Sequence, residues 1–292
     1  MRGTHVVVVG GINADLKART TAPLVPGTSN PGTATLTPGG VGRNVAENLA
    51  HLGRPVALVG VVGDDDLGRL VLEATAAAGV EVSHVRTHRG PTGSYTALLD
   101  HRGELVAGIA DMAAADSLAP EDVRAATDTV AGAGMVVLDG NLPVATFAAA
   151  RDLAAEHGVP VVVDPVSVPK AVRLADEVRD LLAVTPSRGE LEALGGVDAL
   201  LDRGVALVWE RRGASGSVLH AASGAGAVEL AAPVTEVVDV TGAGDAMLAA
   251  WCHAVLSGQG HTEAAAYAHE AAALTVASPL TVRPDLGEML AR

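Results

Sequence analysis

The chain has 292 residues, a formal net charge of −14 and a hydrophobic fraction of 49%, enough to bury the core of two ordinary domains or one large α/β domain. Aromatic residues make up only 2%; that is too few for a base-stacking platform, and the negative charge opposes phosphate backbones, so nucleic acid is not an expected partner. Cys252 is the single cysteine, which rules out an internal disulfide and CxxC chemistry and favours a reducing compartment, the cytoplasm by default.

In chain order, Val6 to Val9 is the first short β-branched run bounded by turn formers, and it reads as a buried strand. It is too short for the apolar stretch of an export signal. Equivalent runs follow at Val56 to Val59, Met135 to Leu138, Val159 to Val163, Leu181 to Val184 and Val205 to Trp209. Helix-like segments lie between them at Val41 to Leu52, Leu67 to Ala78, Val144 to His157 and Ser187 to Leu194. This alternation predicts a three-layer α/β sandwich around a mostly parallel sheet, as a single unit over residues 1–292. Segments 14–38 and 93–110 break the alternation and are expected to form a small β lid. Val218 to Val238 reads as further strands and turns, followed by helices at Ala243 to Leu256 and Thr262 to Ala277. The longest apolar stretches fall short of a membrane span.

Chemistry concentrates in Asp239-Val240-Thr241-Gly242-Ala243-Gly244-Asp245. Two glycines open a helix whose first N–H groups lack partners, so Gly242, Ala243 and Gly244 suit an anion, and Asp245 stands where a base can take a hydroxyl proton. A capped structural turn explains the same residues. A second glycine turn, Gly39-Gly40-Val41-Gly42-Arg43-Asn44, also enters a helix; Asn44 can hold a sugar hydroxyl or serve as a local cap. Asn13 and Asp15 follow the first strand, where a carboxylate can accept from vicinal hydroxyls. The turn Arg211 to Gly216, with Gly213 and Gly216, can approach a nucleotide or simply close a hairpin. Only Lys17 and Lys170 occur, neither after a glycine loop, which excludes a Walker-type P-loop, and no GxGxxG opens a helix after the first strand. The histidines form no HExxH pair.

The two glycine motifs, about 200 residues apart, resemble the signatures of the ribokinase-like (PfkB) family of carbohydrate and nucleoside kinases. The blocks Ser29-Asn30-Pro31-Gly32, Ile109-Ala110-Asp111-Met112 and Val163-Asp164-Pro165-Val166-Ser167 with Lys170 are similar to those of the branch acting on pseudouridine. The resemblance runs nearly end to end. It implies a ribokinase-like sandwich, magnesium-ATP as phosphoryl donor, Asp245 as base, an anion hole at Gly242 to Gly244, and Asp15, Gly40 and Asn44 on the ribose. It further implies transfer to the 5′-hydroxyl of pseudouridine. Ser29, Asn30, Asp111, Asn141 and Lys170 are candidate readers of the base, whose extra ring N–H calls for an acceptor. Ser187 and Glu190 match the family's Asn-x-x-Glu positions near magnesium and the phosphates, with serine replacing asparagine. Asp239 and Thr241 match positions associated with a monovalent cation such as K+, although Asp239 also suits a structural cap. The family resemblance also implies a homodimer through the lids. Another sugar or nucleoside kinase of the same fold, or a noncatalytic nucleoside sensor, fits the same motifs less fully.

Overall fold

Val6 and Val8 enter one apolar core while Val7 and Val9 enter another, so the first strand is buried on both faces and the sheet it belongs to is covered on both sides. The computed structural model describes residues 3–224 and 226–291. Its strands are β1 (Val6–Val9), β2 (Asn13–Thr20), β3 (Gly32–Gly39), β4 (Val56–Gly63), β5 (Val85–His88), β6 (Ser94–Leu99), β7 (Leu105–Asp111), β8 (Met135–Asp139), β9 (Val161–Asp164), β10 (Ala183–Val184), β11 (Leu207–Arg211), β12 (Ser217–Ala221) and β13 (Ala227–Leu230). The large sheet runs β13-β12-β11-β10-β9-β8-β1-β4-β5. It is parallel from β11 through β5, with β12 and β13 added antiparallel at one edge.

Helices Val41–His51, Ala243–Leu256 and His261–Val276 cover one face around Trp209 and Trp251, whose ring centroids lie 6.1 Å apart. Helices Val144–Glu156 and Val168–Leu174 cover the other around Phe147. The segments set apart in the sequence form a separate sheet, β3-β2-β6-β7, in which β2 and β6 pair in parallel and the other neighbours antiparallel. Among the described residues no helix is long and apolar enough to cross a membrane.

Several elements differ from the sequence expectation. The run at Val159 begins its ladder only at Val161, because Pro160 has no N–H to donate. The strand expected from Leu181 is just Ala183–Val184, and β5 and three short helices between residues 113 and 131 add to the pattern.

The strand order reverses at β1, flanked by β4 on one side and β8 on the other, so the loops leaving β1 and β8 part and open a crevice at their carboxyl ends. Asp139, at the end of β8, pins that crevice. Its Oδ2 accepts the N–H of Gly11 and of Gly42, each at 2.8 Å, and its Oδ1 accepts the N–H of Asn141 at 2.8 Å. Close contact is possible only because Gly10 and Gly42 meet backbone to backbone: a Cβ on Gly42 would lie 2.7 Å from the Gly10 Cα. Asp139→Ala should therefore leave buried N–H donors unpaired and cost about 2–4 kcal/mol, read as a lower urea midpoint at unchanged slope. A loss below about 0.5 kcal/mol would show that the carboxylate does not secure this junction.

Candidate active site

Two helix starts face each other across the crevice. Helix Val41–His51 begins after Gly40, and helix Ala243–Leu256 begins after Gly242. Gly242 has φ 81°, and a Cβ there would meet the Thr281 carbonyl oxygen at 2.0 Å, so the turn requires glycine on both counts. The N–H of Ala243 has only a long bond, 3.4 Å, to the Val240 carbonyl, and that of Gly244 meets no acceptor among the described residues. These donors and the helix dipole make the tip receptive to an anion.

Asp245 occupies the first turn of this helix and is buried. Asn44 Nδ2 donates to its Oδ2 at 2.8 Å, linking the two glycine motifs. Asn44 is oriented in turn by Arg43, whose Nη2 donates to Asn44 Oδ1 at 3.1 Å. Burial pushes the Asp245 carboxyl up to about 7; the Asn44 bond pulls it down, the Asp164 charge pushes it up and Arg211 pulls it down. Six positions earlier, Asp239 moves the opposite way. Burial raises it, but the Thr241 bonds and Lys17 outweigh that and hold its carboxyl below the ordinary range. Lys17 Nζ lies 2.9 Å from Asp239 Oδ2 and 3.3 Å from Thr241 Oγ1, and Thr241 N–H donates to Asp239 Oδ1 at 2.8 Å. One turn thus holds an ionised anchor and an acid poised near neutrality.

The donors expected around a sugar lie on connected backbone. Asn13 Nδ2 donates to Asp15 Oδ1, a Cβ on Gly39 would meet Asp15 Oδ2 at 2.4 Å, and one on Gly40 would meet the Gly11 carbonyl oxygen at 2.4 Å. Burial raises the Asp15 carboxyl, opposed by the Asn13 bond and by Lys17 and Arg43. Asn141 stands beside Gly11, and its Oδ1 accepts from Lys170 Nζ. Burial draws the Lys170 ammonium below its ordinary value. Asp111 is exposed at the end of β7, its Oδ1 accepting the Ala113 N–H at 3.3 Å. Ser29 and Asn30 stand apart. Ser29 is exposed, and the Asn30 amide is engaged by its own loop, accepting from Val25 N–H at 2.8 Å and donating to the Val25 and Thr28 carbonyls at 2.9 and 3.0 Å. Neither contacts the Asp245 cluster among the described residues.

On the other side of the helix tip lies a cavity of about 540 Å³, lined by Ser187, Arg211, Gly213, Gly216, Gly244 and His269 among others. Gly213 and Gly216 close the β11 to β12 hairpin and border this space. Ser187 precedes helix Arg188–Ala193, and its N–H donates to Glu190 Oε2 at 2.7 Å. Glu190 is buried, 3.9 Å from Arg211 Nη2. Lys17 and Arg43 carry no individual signal in the sequence, Asp139 stands out only as a strand end and Arg211 only as the first residue of a glycine turn. Lys17 lies two residues after Asp15 on the same strand face; Asp139 and Arg211 act through contacts far apart in sequence, whereas Arg43 acts through its near neighbours Asn44 and Glu47.

The sequence matches the pfkB family of carbohydrate kinases over residues 3–286. It is 34% identical over 295 residues to a pseudouridine kinase of Escherichia coli strain K12, covering 97% of this chain and 93% of that protein. A carbohydrate kinase structure from Agrobacterium tumefaciens superposes with TM-score 0.87 at 32% identity, covering 99% of this chain and 97% of the other. The Arabidopsis thaliana ribokinase structure complexed with ribose and ATP superposes with TM-score 0.83 at 27% identity, covering 99% of both chains. The α/β architecture with its smaller second sheet is therefore the ribokinase-like fold.

The raised Asp245 carboxyl has a consequence for stability. The folded chain retains a proton that the unfolded chain releases near the ordinary carboxylate pKa, so this group's contribution is complete below that range and is lost as pH rises through about 7. Asp245→Asn should be more stable than the parent at about pH 8, by on the order of 3 kcal/mol, and lose that advantage near pH 4. Paired thermal or urea unfolding measures this; a difference independent of pH would contradict the assigned environment.

Proposed function

The chain belongs to the pfkB family of carbohydrate kinases, and on that premise we propose that it transfers the γ-phosphoryl group of ATP to the 5′-hydroxyl of pseudouridine. The observation that carries the reaction type is the buried Asp245, near neutrality, in the same turn as the Gly244 N–H, which meets no acceptor among the described residues, and the Ala243 N–H, which has only a long bond. Asp245 removes the proton as the alcohol attacks, and those N–H groups hold the charge of the transferring group. Asn44 aims the carboxylate, while Asn13, Asp15 and Gly40 hold the ribose. Asn141 and Lys170, at the mouth of the β8 loop, are the favoured groups for the base, with Asp111 at the lid margin. Ser29 and Asn30 reach the nucleoside only if their loop moves.

The donor occupies the cavity bordered by Gly213 and Gly216, with Thr241 and Ser187 beside the phosphates. Glu190 suits magnesium, since that ion takes one or two carboxylates together with substrate phosphates, and it would supply charge neutralisation there. The Asp239 carboxylate already carries the Lys17 ammonium, so a monovalent cation such as K+ near this turn would depend on main-chain oxygens. The sheet formed by segments 14–38 and 93–110, inserted in one domain, acts as a lid excluding water from the donor. The exposed apolar residues Leu105, Val106 and Ile109 on β7 support pairing of two copies through it. A second reading, transfer to ribose or another nucleoside, is favoured by the full-length likeness to a ribokinase bound to ribose and ATP.

A panel of pseudouridine, uridine, adenosine and ribose with ATP separates these. Pseudouridine should have the highest kcat/KM; equal or faster turnover of any other member overturns the substrate while leaving the kinase intact. Asp245→Asn should lower kcat by about 10²–10⁴ with nucleoside binding nearly unchanged, and near-normal turnover would reject the base. The parent kcat/KM should rise with pH through a midpoint near 7, because only the carboxylate accepts a proton, and Asn44→Leu should move that midpoint upward by removing the bond that favours ionisation.

A further inference from the structure

Arg211 ends β11 and lines the large cavity, and among the described residues lining that space it alone carries a permanent positive charge. Its side chain is 17% exposed and is held as a planar fork: Nη1 donates to Asp164 Oδ2 at 2.9 Å and Nη2 to Asp164 Oδ1 at 3.0 Å. The fork is anchored from behind. Asp164 Oδ1 also accepts the N–H of Val166 at 2.8 Å, and Val166 takes φ 69°, a conformation that a β-branched residue adopts only under constraint. Desolvation works against the Arg211 charge, but Asp164 and Glu190 outweigh it and hold the guanidinium above its already high ordinary value.

The guanidinium also abuts the glycine turn. An added Cβ on Gly244 would lie 2.9 Å from Arg211 Nη1, and the backbone bridge between Ser187 and Arg211 brings the start of helix Arg188–Ala193 to the same place. Two of the five guanidinium hydrogens satisfy Asp164. The Nε–H and the second hydrogen on each Nη meet no hydrogen-bond acceptor among the described residues, Glu190 Oε2 being 3.9 Å away. A phosphate chain set against Gly244 in this cavity lies beside the guanidinium, and the carboxylates of Asp164, Glu190 and Asp245 would otherwise repel it.

Resting on the kinase reading above, we infer that Arg211 is a phosphate-binding residue that donates hydrogen bonds directly to the phosphates of the nucleotide donor as they reach the Gly242 to Gly244 turn. Asp164 is the positioning residue that presents it. The role depends on a rigid fork, so lysine should replace it poorly.

The test compares the parent chain with Arg211→Met and Arg211→Lys, using calorimetric binding of a non-hydrolysable ATP analogue and of adenosine, with thermal unfolding as the control for folding. Both variants should weaken the ATP analogue by about tenfold or more, with adenosine affinity unchanged, and should raise KM for ATP more than KM for the acceptor alcohol. Equal weakening of adenosine and the analogue, or an unchanged analogue affinity, overturns the inference. If the methionine variant fails to fold, the side-chain ¹⁵N resonances of the parent protein decide, identified by their loss in Arg211→Lys: ADP should shift the Arg211 signals and adenosine should not, and no shift with ADP refutes the contact. A parent chain that binds no ATP analogue and phosphorylates no alcohol would instead remove the kinase reading itself.

Discussion

A carboxylate out of reach of water, set at a helix tip that attracts anions, is costly to keep and useful only if its surroundings hold it still. Asp245 is in that position. Burial raises its carboxyl, and the bond from Asn44, across 201 positions of sequence, orients it. Folding is opposed at neutral pH by the same desolvation that raises this carboxyl.

The topology explains how two such distant residues meet. Reversal of strand order at β1 parts the loops after β1 and β8, and Asp139 ties both of them to the start of helix Val41–His51. That helix delivers Asn44 from one side, while Ala243–Leu256, packed beneath it around Trp251, delivers Asp245 from the other. The second sheet then carries Asp15 and Lys17 to the same crevice, and the Lys17 ion pair with Asp239 joins that sheet to the turn that precedes helix Ala243–Leu256. The second sheet and the turn before helix Ala243–Leu256 are therefore mechanically connected.

The strands, helices and glycine turns are largely legible in the sequence, because β-branched runs such as Val6–Val9 admit few alternatives to a buried strand and glycine-rich turns announce close backbone approach. The helix from Ala243 to Leu256 was expected with the same bounds the structure has. What stayed hidden was of two kinds. Short, partly polar pieces such as β5, Val-Arg-Thr-His, acquire their structure from the neighbouring β4 ladder and show no period of their own. Side chains whose role depends on a remote partner are equally silent: Arg211 looks like part of a hairpin turn until Asp164, 47 positions away, is seen to grip it. Asn30 illustrates the reverse case, a polar residue in a suggestive motif whose amide is engaged by its own loop.

The account stands or falls on whether the helix tip and the buried acid serve the same reaction. A crystal structure of the protein with a non-hydrolysable ATP analogue and pseudouridine is the most direct measurement. The terminal phosphate should lie on the N–H groups of Gly242 to Gly244, with the nucleoside 5′-hydroxyl about 3 Å from Asp245. A terminal phosphate bound away from that turn, or an acceptor hydroxyl directed away from Asp245, would contradict the account.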